Sequence, residues 1–362
     1  MMSGSFEFEQ AQMLAQNNKL EVSYLAASLH PTKTIKNSGF QKWSEDKVSV
    51  YTYSRFFLPR IYPLYFLKLR NVFWVNFLKM VEQESGLPDV IHLHYPTMML
   101  LADVLSYYKE KGVRIVVTEH WSKVLTGKND AIEKKQLRKY IHVVDKFLCV
   151  GEPLKKAVAE IVGSDEKLMV VPNVVNSLFV PNNLSHSGFE FIAVGRLVKH
   201  KQFDKIINVF IHAFIDESDV TLTVIGGGGE KENLQKIVAE NKADKKIKLL
   251  GSLSREETAE KVSNADCLVC FSSFETFGVP IIESWACGKP TISTTACGVI
   301  NPVEEQLGIE IEPDDILGLE KAMKYIYEHK ETYSREYIST FATNHFSKDV
   351  ISDILLRIYS ET

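Results

Sequence analysis

The chain has 362 residues and a mass of 41.1 kDa, beyond the size at which one hydrophobic core usually keeps growing, so two domains are expected. Apolar residues make up 45% of it and charged residues 24%, with a net charge of −4 and a pI near 6.2. That balance excludes a disordered, collagen-like or fibrous chain and speaks against a nucleic-acid partner.

In chain order, short apolar runs alternate with amphipathic stretches. The strands expected in the first half are 20–26, 89–93, 114–118, 147–150 and 167–171. Those of the second half are 189–194, 220–225, 247–250, 267–271, 290–294 and 308–311. Phe203, Ile206, Ile207, Phe210 and Phe214 form one apolar helical stripe. Ser254-Arg-Glu-Glu257 is a capping box that opens another helix. Such alternation means parallel sheets with helices on both faces. It occurs twice, with the polar stretch 181–188 between the two runs. The expected class is therefore α/β, with two Rossmann-like, doubly wound domains, 1–186 and 187–345. Ligands are expected in a cleft at the carboxyl ends of the strands.

Residues 31–80 depart from the average, with nine Lys/Arg against two acids. Within 51–80 there is no acid, and ten aromatics gather there. Bases and aromatics without acids suit the headgroup layer of an anionic membrane, with Arg55, Arg60, Lys68 and Arg70 as the contacting bases. The same pattern also fits a helix pair with its aromatics in the core and its bases in water. No run of roughly 18 apolar residues is present, and MMSGSFEFEQ lacks the layout of a secretion signal. The five scattered cysteines fit a reducing cytoplasm. Cys267 and Cys270 form one CxxC inside an apolar strand; without a second ligand pair they read as small buried side chains, and no metal is expected.

Three stretches carry chemistry. After strand 189–194 comes Gly195-Arg196-Leu-Val-Lys-His-Lys201-Gln202, where Gly195 permits a tight turn. Arg196 and Lys201 place a planar fork and a point charge on one loop, a suitable pair for a diphosphate. Gly226-Gly-Gly-Gly229 fits neither a dinucleotide fingerprint nor a Walker loop; it marks backbone approached closely by a ligand or another loop. The stretch 272–290 contains Glu275, Phe277, Gly278, Val279, Pro280 and Glu283. With Pro280 opening a helix, Gly278 and its neighbours sit at the positive helix end, where a phosphate binds. Glu275 and Glu283 are acceptors suited to sugar or ribose hydroxyls; they also read as a loop acid and a dipole-complementing acid.

Together these motifs resemble glycosyltransferase family 4, the retaining nucleotide-sugar enzymes of GT-B fold. Gly195-Arg-Leu-x-x-x-Lys201 is similar to that family's donor-diphosphate loop, with Gln202 where a Gly usually follows. Glu275-x-Phe-Gly-x-x-x-x-Glu283, followed by Ala286-Cys-Gly-Lys-Pro290, is similar to its paired-glutamate signature. The resemblance implies that Arg196 and Lys201 hold the leaving diphosphate, helped by amides at Gly195, Phe277, Gly278 and Val279. It implies that Glu283 takes the ribose, that Glu275 takes the donor sugar, and that Gly4 and Ser5 form an amino-terminal donor loop. His120 would lie beside the donor sugar, with Trp121 and His94 on the acceptor side; His120 also reads as a structural loop histidine. Residues 346–362 resemble the family's last helix, which returns to the first domain. The implied partners are a nucleoside-diphosphate sugar, a glycan or lipid-linked acceptor and an anionic membrane surface, with no cofactor, metal or nucleic acid. The implied location is peripheral, on the cytoplasmic face of the membrane.

Family members begin with a strand before the glycine loop, and here the loop stands at residues 4–6. The first, central strand is therefore expected to be missing, leaving a gap beside strand 20–26 and putting activity in question. A catalytically silent sugar-binding relative is the alternative to a transferase. A dinucleotide-dependent dehydrogenase lacks its fingerprint.

Overall fold

The computed structural model describes residues 6–30, 39–56, 63–182, 187–299 and 303–361. The chain divides into two compact units. One holds Met1–Cys149, Lys155–Val170 and Ser352–Thr362; the other holds Val150–Leu154 and Val171–Ile351. Residues 171–182, expected with the first domain, thus fall in the second unit. Local bonds tie them there: the Val175 N–H donates to the Phe346 carbonyl at 2.9 Å, and Asn182 Nδ2 to Ser263 Oγ at 3.0 Å.

The first unit carries two sheets. Strands β1 (Val22–His30), β2 (Gly39–Glu45) and β3 (Val48–Phe56) are ordered β1-β3-β2, and only β2 is antiparallel. Strands β4 (Val90–His94), β5 (Arg114–Glu119), β6 (Lys146–Cys149) and β7 (Leu168–Val170) form a parallel sheet in that order. The edge strands β1 and β4 each have one ladder partner, and no strand among the described residues joins the two sheets. The discontinuity expected beside 20–26 is present.

Strands β2 and β3 were not expected. They form a hairpin turning at Asp46-Lys47, both left-handed at φ 50° and 66°, as a two-residue turn matched to strand twist requires. Their aromatics correct the membrane reading in part. Tyr51, Tyr53, Phe73, Trp74 and Phe77 are buried, and Tyr53 stacks on Phe73 at 4.7 Å. These rings fill the space between β3 and the helix Pro63–Ser85, so they belong to the core.

The second unit is built on one all-parallel sheet of six strands. Strands β8 (Phe189–Val194), β9 (Val220–Ile225), β10 (Ile247–Gly251), β11 (Cys267–Cys270), β12 (Thr291–Thr294) and β13 (Gly308–Ile311) are ordered β10-β9-β8-β11-β12-β13. Helices cover both faces, which explains why these strands read as continuous apolar runs. Phe203, Ile206, Ile207, Phe210 and Phe214 are all buried against the sheet, as their spacing demands. Strand order reverses between β8 and β11. In an open α/β sheet, that reversal opens a crevice at the carboxyl edge.

Candidate functional site

Two loops leave the sheet at this reversal: 195–202 after β8 and 271–278 after β11. The first is shaped by its glycine neighbours. A Cβ on Gly226 would collide with the carbonyl of Gly195, and one on Gly228 with the backbone of Leu197. Both glycines lie at positive φ, 148° and 154°. The Leu197 N–H donates to the Gly227 carbonyl at 2.9 Å and the Glu230 N–H to the Leu197 carbonyl at 3.0 Å. Of the two readings left open for the glycine run, the structure shows a neighbouring loop.

The second loop is clamped onto the first. The Ser273 N–H donates to the His200 carbonyl at 2.8 Å, and the His200 ring stacks on Phe274 at 4.4 Å. Lys201 Nζ donates to Glu275 Oε1, which also accepts from Ser272 Oγ at 2.9 Å. The pair is largely shielded, with side-chain exposures of 15% and 12%. Burial pulls the Lys201 ammonium down, but the Glu275 carboxylate and the nearby Cys270 raise it above its ordinary value overall. Arg196 stands exposed on the same loop, close enough to Lys201's neighbour His200 to help lower its imidazole, after burial itself.

Gly278, left-handed at φ 82°, precedes the helix Val279–Ala286, with Pro280 in its first turn. A Cβ on Gly278 would press on Ile281 and on the Cys297 carbonyl, at 3.0 and 3.3 Å. Lys201 interacts electrostatically with that same Cys297. Arg196, Lys201, Glu275 and the helix N-terminus therefore converge on one edge of one sheet. That edge carries cationic side chains, a helix N-terminus and a shielded carboxylate held by Lys201 and Ser272, a setting for an anion attached to a hydroxyl-bearing group.

Glu283 lies deeper, 4% exposed, and accepts from Arg255 Nη1 at 2.9 Å. Arg255 sits in the first turn of the helix Arg255–Asn264, behind the Ser254 cap. The capping box was legible in the sequence, whereas the role of its second residue was not. Phe277 turns its ring inward against Phe346, leaving only its backbone near the loop. Cys270 meets Cys297, with sulfurs 3.7 Å apart, and not its CxxC partner Cys267. Among the described residues, no group of three or more His, Cys, Asp or Glu is placed to hold a metal ion.

In the first unit, the ends of β4 and β5 gather three histidines. His92 is bonded on both sides, to Thr118 Oγ1 and to Tyr359 Oη, each at 2.6 Å. His94 Nδ1 and His120 Nε2 share a hydrogen bond of 2.9 Å. Burial lowers all three, His94 to about 4, so they are neutral at pH 7. Glu119, absent from the sequence-based site, is the anchor. Its carboxylate accepts from the N–H groups of His120 and Trp121 at 2.9 Å and of Thr97 at 3.0 Å. Burial nevertheless raises its carboxyl above the ordinary value. Trp121 lies under the Lys123 ammonium at 5.0 Å.

Gly4, Ser5 and Arg60 lie outside the described residues. Arg55 is exposed and lies over the Tyr53 ring at 5.6 Å, and Lys68 is exposed. Arg70 instead donates to the Met98 carbonyl at 2.8 Å.

Residues 176–344 match the family described as glycosyl transferases group 1, and residues 21–177 match glycosyltransferase family 4. A human phosphatidylinositol N-acetylglucosaminyltransferase chain is 24% identical over 240 residues, 65% of this chain and 50% of that protein. The chain thus spans about half the length of that relative. The N-acetyl-alpha-D-glucosaminyl L-malate synthase of Bacillus anthracis is 22% identical over 97% of this chain and 94% of that one. Sucrose-phosphate synthase from Thermosynechococcus elongatus superposes with a TM-score of 0.79 at 17% identity, covering 98% and 92%. HepE of Anabaena in complex with UDP does so with a TM-score of 0.68 at 17% identity, covering 85% and 86%.

Proposed function

Because the chain belongs to glycosyltransferase family 4 and has the GT-B fold, we propose that it moves a sugar, with retention, from a nucleoside-diphosphate sugar to a glycan or lipid-linked acceptor. The observation that carries this reading is the convergence of Arg196, the Lys201–Glu275 pair and the Gly278 helix end at the sheet reversal. A uridine diphosphate donor is favoured, since HepE is a UDP complex. A lipid-linked acceptor is favoured by the human relative, whose name specifies phosphatidylinositol.

The chemistry follows from charge. Breaking the glycosidic bond leaves positive character on the sugar and a developing anion on the diphosphate. Arg196, Lys201 and the amides at Gly278 and Val279 stabilise that anion as it grows, which accelerates the step rather than only binding the substrate. In this structure Lys201 rests on Glu275. A bound donor replaces that contact, its phosphate taking the ammonium and its sugar hydroxyls the carboxylate. Glu283, held by Arg255, receives the ribose hydroxyls. In the first unit, His120 and His94 are neutral groups able to hydrogen-bond a sugar hydroxyl. No metal or cofactor is assigned a part.

We place the protein peripherally on the cytoplasmic face of an anionic membrane. The exposed Arg55 and Lys68, with Leu69 and Val72 open to solvent at 38% and 57%, support this. No helix of the described residues is long and apolar enough to cross a membrane.

The test is release of nucleoside diphosphate from a panel of UDP- and GDP-sugars with lipid-linked and free glycan acceptors. Turnover with one donor supports the reading. The break in the first unit's sheet favours a second one, a silent sugar-binding relative, and binding without release on every donor would establish it.

A further inference from the structure

At the opposite, amino-terminal edge of the six-stranded sheet lies a cavity of about 370 Å³. Its walls come from the starts of β8, β11 and β12 and from the segment that leads into the helix Arg335–Phe346. Lys289, Lys330 and Arg335 line it, together with Asp266, Glu331 and Tyr333.

Lys289 is the unusual member. It is 3% exposed, yet its ammonium makes no hydrogen bond or ion pair with any described residue. The neighbouring charges are the Arg335 guanidinium, which repels it, and the Asp266 carboxylate, which attracts it. Asp266 is already engaged, accepting from the Glu190 N–H at 2.8 Å. Burial, followed by Arg335, lowers the Lys289 ammonium below its ordinary value, outweighing Asp266. The side chain is packed away, but its ammonium is not among the polar atoms shut off from open space, so an ammonium with no protein partner opens on the cavity, where a charge usually has one. Gly288, at φ 71°, deepens the concentration of charge. A Cβ there would meet the Arg335 carbonyl at 2.8 Å, so its absence lets the start of the Arg335 helix close over Lys289. The positive end of that helix adds to the same field.

We propose that this cavity binds a phosphoryl group, as free phosphate or as the phosphate of a small monoester. Three cationic side chains of the lining, the ammonium groups of Lys289 and Lys330 and the planar fork of Arg335, supply charge-assisted donors. The Tyr333 hydroxyl, whose burial holds it protonated up to about pH 12, adds a neutral donor. The volume exceeds what phosphate alone fills and lies in the range of small-ligand sites. The site is separate from the diphosphate loops, being across the length of the strands from them, and it does not depend on the proposed transferase reaction. It touches that site through one element: the helix Val279–Ala286 starts at the donor edge and ends beside Gly288.

Calorimetric titration of inorganic phosphate and of glycerol 3-phosphate into wild type, Lys289→Met, Arg335→Gln and Arg196→Ala tests this. The expected result is one site that Lys289→Met weakens at least tenfold and Arg335→Gln about fivefold, with Arg196→Ala leaving it unchanged. Tighter binding of the monoester would identify a metabolite, and equal or weaker binding the free ion. If circular dichroism shows Lys289→Met unfolded, the exposed Arg335→Gln decides alone. No binding at millimolar phosphate, or binding that Arg335→Gln leaves within twofold, overturns the proposal.

Discussion

Arg196 is the residue on which the proposed chemistry turns, because it is a cation on this loop that Glu275 does not already neutralise. Its replacement by Ala should lower turnover by roughly 10²-fold, the scale of losing one transition-state anion donor; a change below threefold would remove it from the mechanism. The histidine cluster supports a prediction about pH. His94 titrates near 4 in the fold and near 6.5 when unfolded, so the unfolded chain binds more protons across that window. Stability is complete above about pH 6.5 and falls with acidification toward 4, by up to about 3 kcal/mol for this group. Tm should drop between pH 7 and pH 5, and His94→Gln should flatten the drop. Glu119, raised by burial, works in the opposite direction at the acid end, so the variant comparison isolates the histidine term. Equal slopes in both proteins would mean that His94 is not held neutral. Arg196, Lys201, Glu275 and Glu283 were singled out by their spacing from a glycine or proline and by the family resemblance, and the structure sets Lys201 on Glu275 and Arg255 on Glu283. Glu119 and Arg255 were not, because their partners Thr97 and Glu283 are distant in sequence, and no local pattern announces such a pairing.

Elements of the second unit were readable nearly to the residue, and those around residues 39–56 were not. Where helices cover both faces of a sheet, apolar runs stand out between amphipathic ones. Strands β2 and β3 mix serine, lysine and arginine with aromatics, which equally suits a surface segment, and the turn between them carries Asp-Lys in place of a glycine pair. The glycine turn after β9 gives the sharpest test at this scale. Gly228→Ala sets a Cβ against the Leu197 backbone at a φ that L-residues rarely adopt, so it should destabilise the second unit by about 1–3 kcal/mol. It should also displace the Arg196 loop and weaken nucleotide binding. Gly229→Ala, with nothing within 4 Å, is its control. A Tm for Gly228→Ala equal to that of the control would show that the two loops are not in register. Ser254→Ala, which removes a capping box that is complete in the structure, should cost about 1 kcal/mol, read as a shift in Tm.

For the whole molecule, the two α/β units and the GT-B class followed from the repeated strand–helix alternation and the paired-glutamate stretch. The boundary did not, because residues 171–182 form no helix or strand, and their attachment, through buried Val171, Val175 and Phe179 and bonds to Phe346 and Ser263, is to residues distant in sequence. The membrane proposal is also made at this scale. Neutralising Arg55 and Lys68 to Gln should weaken binding to anionic vesicles by about 1 kcal/mol per base removed at low salt; absence of vesicle binding by the wild-type protein would dispose of it. The central claim concerns the donor edge, and the most direct measurement is a calorimetric titration of UDP, GDP and ADP into wild type and Arg196→Ala. The account predicts that one of these diphosphates binds the wild type at a single site and that Arg196→Ala weakens it at least tenfold. Equal affinity in the two proteins, or no binding of any of the three, would contradict it.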